Sequence, residues 1–214
     1  MLTVWGGGTS RTLRVHWMLH ELGVDYEPRL VAPRSGETQT AEFLALNPKG
    51  KVPVLVDSAL ELSESAAIVT YLGDRYGPDS GLVPAPYTAQ RAKYNEWMSF
   101  IQMELDAHTL YVMRKHRDLA DLYGEAPAAV TTAIAGFQRQ ITVAQQRLRE
   151  HDHLLEGAFS AADLMLTTCL DWAVAYAVEL TEPLVSYRAR MHQRPAYRSA
   201  VRLNFSVAPD GAAS

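Results

Sequence analysis

Asn47-Pro48-Lys49-Gly50-Lys51-Val52-Pro53-Val54-Leu55-Val56 runs through a short turn, Asp57-Ser58-Ala59, into Leu60-Glu61-Leu62-Ser63-Glu64-Ser65-Ala66-Ala67-Ile68, and the rest of the chain is arranged around this stretch, which extends to Tyr71. Val54–Val56 and Leu60–Leu62 flank a turn whose length and residues suit a tight antiparallel hairpin. Pro53 precedes the first of these strands, where a cis bond is feasible and the backbone just before it stays outside the ladder. Ser63, Glu64 and Ser65 place two hydroxyls and an acid at the start of a helix, with Ser63 as the expected cap. An unpaired backbone segment can form strand-like bonds with an extended ligand, and a helix entrance offers free amide hydrogens to a carboxylate. The stretch reads as a ledge for a small peptide.

Towards the N-terminus, Leu2-Thr3-Val4-Trp5 has strand-forming residues and ends at Gly6-Gly7-Gly8. Thr9-Ser10 then precede a helical pattern in Val15, Met18, Leu19 and Leu22 that Gly23 closes. The glycines do not make a dinucleotide fingerprint, because the third required glycine would fall at Arg11 and no acidic residue ends a second strand in the right place. Tyr26 to Val31 reads as a second strand, parallel to the first across a helical crossover. Ala32 to Thr38 is a polar loop, and Thr40 to Leu46 a short helix stopped by Asn47-Pro48. The helix after Ser63 carries Ile68, Tyr71, Leu72 and Tyr76 on one face. The expected order is βαβαββα over residues 1–77.

Residues 78–86, rich in proline and glycine, have a linker composition, and from residue 87 to 214 the periodicity is helical. Tyr94, Trp97, Met98, Ile101, Leu105 and Val112 form one long stripe up to about Arg117. Val130, Ile134, Phe137, Ile141, Ala144 and Leu148 predict a second helix, antiparallel to the first. Ala161 to Val178 is apolar almost all round, as a fully buried helix must be, and Ser160-Ala161-Ala162-Asp163 is an acidic capping box at its head. Pro183 and Pro195 suit the first turns of two short closing helices. The small, polar residues from Ala208 are expected to be mobile.

With 214 residues, 48% of them apolar, the chain can bury a sizeable core, and its formal charge of −4 with scattered Lys and Arg speaks against nucleic acid or an anionic membrane surface. No apolar run approaches the length of a membrane span, and Met1 to Trp5 lacks the pattern of a signal peptide, so a cytoplasmic setting is expected. The lone Cys169 sits in an apolar helical run, which excludes an internal disulfide or a Cys-x-x-Cys motif and suggests a buried bystander. His16 and His20 are four apart on a helix, but no glutamate precedes His20 as a zincin would require, and no metal is expected.

Thr9-Ser10-Arg11 through Arg14, Asn47-Pro48 with Gly50-Lys51-Val52-Pro53, Ser63-Glu64-Ser65-Ala66-Ala67-Ile68 with Tyr71-Leu72, and Ser160 with Asp163, taken in this order and at these spacings, resemble the cytosolic glutathione transferases, in particular bacterial serine-type members. The resemblance covers nearly the whole chain. It implies a thioredoxin-like α/β domain at 1–77 that binds glutathione, a linker at 78–86 and an all-α domain at 87–214, with an apolar electrophile bound between the two domains of a homodimer. The expected dimer packs the face of Tyr71 and Arg75 against the helix around Trp97 of the partner.

Ser10 matches the hydroxyl that bonds the glutathione sulfur in serine-type members, with Thr9 as the alternative donor and a simple helix cap as the plainer account of Ser10. A hydroxyl and the positive end of a helix both favour thiolate over thiol. Trp5 stands where no tyrosine hydroxyl can serve, and no cysteine is near. Val52 resembles the residue whose backbone pairs with the cysteinyl part of glutathione, and Pro53 the cis-proline beside it. Glu64 would take the γ-glutamyl ammonium and Ser65, with the helix amides, its carboxylate. Lys51 matches a lysine that in some classes reaches the glycine carboxylate, although a solvated surface lysine explains it nearly as well, and Arg34 in the preceding loop is a weaker candidate for that carboxylate. For the electrophile pocket the resemblance suggests Gly8 or Gly7, His108, Tyr111 and Lys115.

The implied activity is conjugation of the glutathione thiolate to small apolar electrophiles in a detoxifying role, with glutathione as co-substrate. Glutathione-dependent reduction of organic hydroperoxides uses the same thiolate, and a non-catalytic carrier of glutathione or apolar ligands needs only the same fold.

Overall fold

The computed structural model describes residues 1–207, which divide into two compact units, one of Met1–Val83 with the chain from His192, the other of Pro84–Met191. In the first unit, β1 (Leu2–Trp5) is central and pairs parallel with β2 (Glu27–Arg29) and antiparallel with β3 (Val54–Asp57), and β3 pairs antiparallel with β4 (Leu60–Ser63), giving the order β2-β1-β3-β4. This is a thioredoxin-like mixed sheet. Alternation along β1 buries Leu2 and Val4, the expected result of a period of two. The β2 strand is shorter than its sequence suggests, yet the amides of Gly6 and Gly7 extend the pairing by donating to the carbonyls of Arg29 and Val31.

Helix α1 (Ser10–Leu22) buries Leu13, Val15, Trp17, Met18 and Leu19, and Gly23 closes it at φ 63°, a left-handed conformation that a residue without Cβ adopts readily. The short α2 (Ala41–Leu46) is capped by Thr40, whose hydroxyl accepts from the Phe43 amide at 3.2 Å. Helix α3 (Ser65–Tyr76) buries Ile68, Val69 and Leu72. Ser63 does not cap it: it ends β4, and Glu64 takes the cap position with no side-chain bond to the first turn. The hairpin register pairs Val54 with Ser63, so ladder geometry claims this serine before the helix can.

The second unit begins with α4 (Ala89–Phe100), capped by Thr88, and continues through a π-helical segment, Ile101–Leu110, into α5 (Tyr111–His116). The long helix expected to about Arg117 is therefore present as a rod whose middle is widened. After the brief α6 (Ala120–Tyr123), the next predicted helix is split into α7 (Pro127–Gln140) and α8 (Thr142–Glu150). Thr142 Oγ1 donates to the Arg139 carbonyl at 2.7 Å, a back-bond of the type that bends helices. Helix α9 (Ala161–Ala175) is buried almost all round, Cys169 included. Its capping box is formed by Ser160 and Asp163. The Asp163 carboxylate accepts from the Ser160 amide and hydroxyl, the Leu154 amide and the Tyr187 hydroxyl, each at 2.9 Å, so a fully buried charge is surrounded by donors.

Helix α10 (Leu184–His192) closes this unit, but α11 (Pro195–Asn204), expected from its position in the helical part of the chain, packs on α1 in the first unit. Arg194 grips Glu21 through Nε and Nη2 at 2.6 and 2.8 Å, and the rings of Trp17 and Tyr197 meet edge to face at 4.8 Å. The tail from Ala208, expected to be mobile, lies outside the described residues. Among the described residues no helix is long and apolar enough to cross a membrane.

Candidate active site

The loop after β1 delivers the chain to the start of α1, and every residue in it is held. Gly6 has φ 128°, and a Cβ there would lie 2.6 Å from Thr12 Cγ2 and 2.7 Å from Val52 Cβ, so only glycine lets this turn close against Val52. Its carbonyl accepts from His16 Nε2 at 3.0 Å, while His16 Nδ1 meets the Tyr26 hydroxyl at 2.8 Å. Burial, reinforced by the neighbouring His20, outweighs the Gly6 bond and brings the His16 pKa down to about 4. A neutral imidazole with its proton on Nε2 satisfies both contacts.

The N-cap of α1 is Thr9, in a reciprocal box with Thr12. Thr9 Oγ1 accepts from the Thr12 amide at 3.0 Å and lies 3.0 Å from Thr12 Oγ1. The Thr12 hydroxyl has Asn204 Oδ1 at 2.6 Å and the Thr9 carbonyl at 2.9 Å as acceptors for its one proton, and either leaves Thr9 as the donor between the two threonines. The Thr9 hydroxyl is thus committed in both directions. Ser10 is the first helical residue, partly exposed, and among the described residues its hydroxyl makes no hydrogen bond. The plainer account of Ser10 as a cap belongs to Thr9.

Beside this terminus, the Val52–Pro53 bond is cis and β3 starts only at Val54. Val52 is partly exposed, and among the described residues its backbone amide and carbonyl have no hydrogen-bond partner. Glu64 stands at φ 74°, ψ 110°, a strained conformation for a residue with a side chain, and its carboxylate is exposed. Lys49 Nζ reaches it at 2.6 Å and also donates to Ser63 Oγ at 2.8 Å. Ser65 opens α3 almost fully buried, and its Oγ accepts from Nη1 of the equally buried Arg14 at 3.2 Å. The Glu64 carbonyl accepts from the Ile68 amide, so among the described residues the amides of Ser65, Ala66 and Ala67 are left as free donors at this terminus.

Two participants escaped sequence reasoning. Lys51, which matches a position that reaches the glycine carboxylate, is exposed, and Lys49, to which the sequence assigned no role, is the one that meets Glu64. Arg14 marked the resemblance without a role, and nothing in its spacing signals that it lies under Ser65. Arg34 is exposed in the loop after β2 with φ 62°. Gly8, φ 71°, precedes the Thr9 cap. In the second unit His108 lines a groove of about 450 Å³ between the π-helical segment and α7, together with Glu104, Val112, Ala133, Gly136 and Arg139. Tyr111 does not line it; its ring lies under Lys115 Nζ at 5.1 Å. Among the described residues no group of three or more His, Cys, Asp or Glu gathers that could hold a metal.

Chemically, the first unit presents a hydroxyl at one helix N-terminus, an unpaired backbone segment, and a second helix N-terminus backed by a buried guanidinium. A flat, extended, anionic ligand fits that arrangement. Residues 1–74 match the family described as glutathione S-transferase, N-terminal domain. The chain is 28% identical to glutathione S-transferase GstA of Escherichia coli O157:H7 over 194 residues, 89% of this chain and 92% of that protein. It is 31% identical to glutathione S-transferase 3 of Zea mays over 162 residues, 72% and 70% of the two chains. Among solved structures it is similar to the theta class glutathione S-transferase of Xanthomonas axonopodis pv. citri with glutathione bound, at a TM-score of 0.78 and 29% identity over 94% of this chain and 96% of that one.

Proposed function

The chain belongs to the glutathione S-transferase family, and from that premise we propose that it activates the thiol of glutathione with Ser10 and conjugates it to small apolar electrophiles. The observation that carries the assignment is the division of labour at α1: Thr9 is consumed by the cap, whereas the Ser10 hydroxyl is uncommitted at the positive end of the helix. In this reading Ser10 Oγ–H donates to the sulfur. That bond and the helix terminus lower the thiol pKa, each unit being worth about 1.4 kcal/mol of preference for the thiolate. The thiol proton leaves to solvent. The sulfur lone pair then forms the new C–S bond as the electrophile loses its leaving group or accepts the electron pair in conjugate addition.

Placement supplies the rest of the rate. Val52 offers its amide and carbonyl to the cysteinyl backbone, next to Pro53. Ser65 and the first amides of α3 take the γ-glutamyl carboxylate, with the Arg14 charge behind them. Glu64 takes the ammonium in exchange for Lys49, at small cost because the Lys49–Glu64 pair is about half exposed. Lys51 and Arg34 serve the glycine carboxylate, and Gly8, His108 and Tyr111 are the proposed contacts of the electrophile. We also propose a cytoplasmic homodimer in which the Tyr71 and Arg75 face meets the helix around Trp97.

Ser10→Ala tests the reading. Conjugation measured over several electrophile classes should fall by about 10²-fold, the usual loss of one preorganised donor to a developing anion, while calorimetry shows glutathione still binding. Unchanged turnover would remove Ser10 from the chemistry. Absence of any heat with glutathione or its S-alkyl derivatives would leave the fold without this activity.

A further inference from the structure

Asn204 is the last residue of α11, 0% exposed, and 195 positions from the loop it touches. Its Nδ2 donates to the Thr9 carbonyl at 3.1 Å, its Oδ1 accepts from Thr12 Oγ1 at 2.6 Å, and its own carbonyl accepts from the Gly8 amide at 2.7 Å. The Thr9 carbonyl is also the acceptor of the first helical bond, from the Leu13 amide at 3.0 Å. One buried residue therefore sets both threonines of the capping box through its side chain and the residue before them through its backbone carbonyl. The loop needs such an anchor: Gly6-Gly7-Gly8 has no side chains with which to fix itself. Gly7 is bare because α11 ends against it, and a Cβ there would lie 3.2 Å from the Asn204 carbonyl and 2.9 Å from Val207 Cγ2.

We infer that Asn204 is a positioning residue for Ser10, acting from the last helix through the Thr9 carbonyl and the Thr12 hydroxyl to hold the serine hydroxyl towards the glutathione sulfur. This rests on the assignment of Ser10 above. Two features set it apart from ordinary packing. Its side-chain bonds end on Thr9 and Thr12, on either side of Ser10. Its Oδ1, at 2.6 Å, is closer than the Thr9 carbonyl, at 2.9 Å, to the hydroxyl whose one proton both could take, which commits the Thr9 hydroxyl to Thr12 and leaves Ser10 as the donor. Loss of the Asn204 side chain unties the Thr9 carbonyl from α11, leaves the Thr12 proton to the Thr9 carbonyl or hydroxyl, and lets the Ser10 hydroxyl turn away.

The test is a pH titration of thiolate ultraviolet absorbance in the glutathione complex of the full chain, with kcat and KM measured in parallel, for Asn204→Ala, Thr12→Val, Ser10→Ala and the Ser10→Ala/Asn204→Ala pair. Asn204→Ala and Thr12→Val should each raise the pKa of the bound thiol by about one unit and lower kcat at neutral pH about tenfold, with KM for glutathione changed far less. On the Ser10→Ala background, Asn204→Ala should add less than about twofold, as expected for two residues acting through one interaction. Thr12→Val, which keeps the shape of the side chain, decides the matter if Asn204→Ala does not fold. Folded variants that lose thermal stability but keep the wild-type thiol pKa and kcat overturn the inference and leave Ser10 in place. A Ser10→Ala protein with unchanged thiol pKa and rate overturns the Ser10 assignment, and the inference with it.

Discussion

Arg14 Nη1 donates to Ser65 Oγ across 3.2 Å, with both residues buried, and this bond ties α1 to the first residue of α3. A guanidinium beneath a helix N-terminus adds a full charge to the partial charge of the free amides, so the site proposed for the γ-glutamyl carboxylate is positive from two sources. Neither source needs the exposed lysines around it.

Arg14→Met removes the charge and keeps most of the volume. Removal of one buried charged group costs stability, because the partners it leaves behind stay buried, and loss of a charge-assisted contribution to binding costs about 1.5–3 kcal/mol. Glutathione affinity of the folded variant should therefore fall about tenfold to a hundredfold by calorimetry, alongside a loss of thermal stability. A folded variant that binds glutathione as tightly as the wild type would assign Arg14 to folding alone.

Glu64 pays for its φ of 74° in backbone strain. Glu64→Gly relieves it and should stabilise the free protein by about 1 kcal/mol in chemical denaturation. The same change deletes the carboxylate proposed for the ligand ammonium, so glutathione should bind more weakly. A variant that is less stable than the wild type contradicts the strain argument, since the Lys49 pair it loses is exposed and of little worth.

His16 gives the fold a slope with pH. Its pKa falls to about 4 in the folded protein from an ordinary 6.5, so between those values the unfolded chain binds a proton that the folded chain does not. Stability is full above about pH 6.5, declines by up to about 3 kcal/mol as the pH falls towards 4, and levels off below, as far as this group is concerned. His20, also lowered, chiefly by burial and then by Arg202, adds in the same direction. In denaturant titrations His16→Gln should flatten most of this slope, and an equally steep slope in that variant would place its origin elsewhere.

Arg194 and Glu21 hold α11 on α1 with two parallel bonds, one of them to a carboxylate oxygen that also accepts from Trp17 Nε1 at 2.8 Å. Lysine cannot reproduce that fork. Arg194→Lys should cost about 1–2 kcal/mol of stability and speed amide exchange in α11 more than in α3, measured by hydrogen exchange. Uniform exchange across the two helices would show that the pair does not govern α11.

Much of the first unit was legible from local pattern. Strand-forming residues ending at glycines marked β1, the turn residues marked the hairpin, Gly23 marked the end of α1, and the mixed sheet followed from the crossover and the hairpin together. Errors came where two local rules competed for one residue. Ser63 is a good cap in isolation, but it belongs to the ladder opposite Val54. The single helix drawn from Val130 to Leu148 is interrupted at Ile141, just before a threonine that bonds back to the turn before it. The π-helical stretch at Ile101–Leu110 still buries Ile101 and Leu105 of the predicted stripe, so the stripe alone did not distinguish a wider turn from an ordinary one.

Spacing within a few residues is encoded in the chain itself, because side chains two, three or four apart share a face whatever the rest of the protein does; that determined the strands, the helices and the hydroxyl pair Thr9-Ser10 at a helix entrance. Which hydroxyl is left uncommitted, which lysine meets Glu64, and that Arg14 underlies Ser65 depended on segments brought together from far apart. The return of α11 to α1 is the clearest case: Asn204 sits beside Thr9 and Thr12 only in the folded chain, and hydrogen bonding, which acts over about 3 Å, leaves no trace in a sequence interval of nearly two hundred residues.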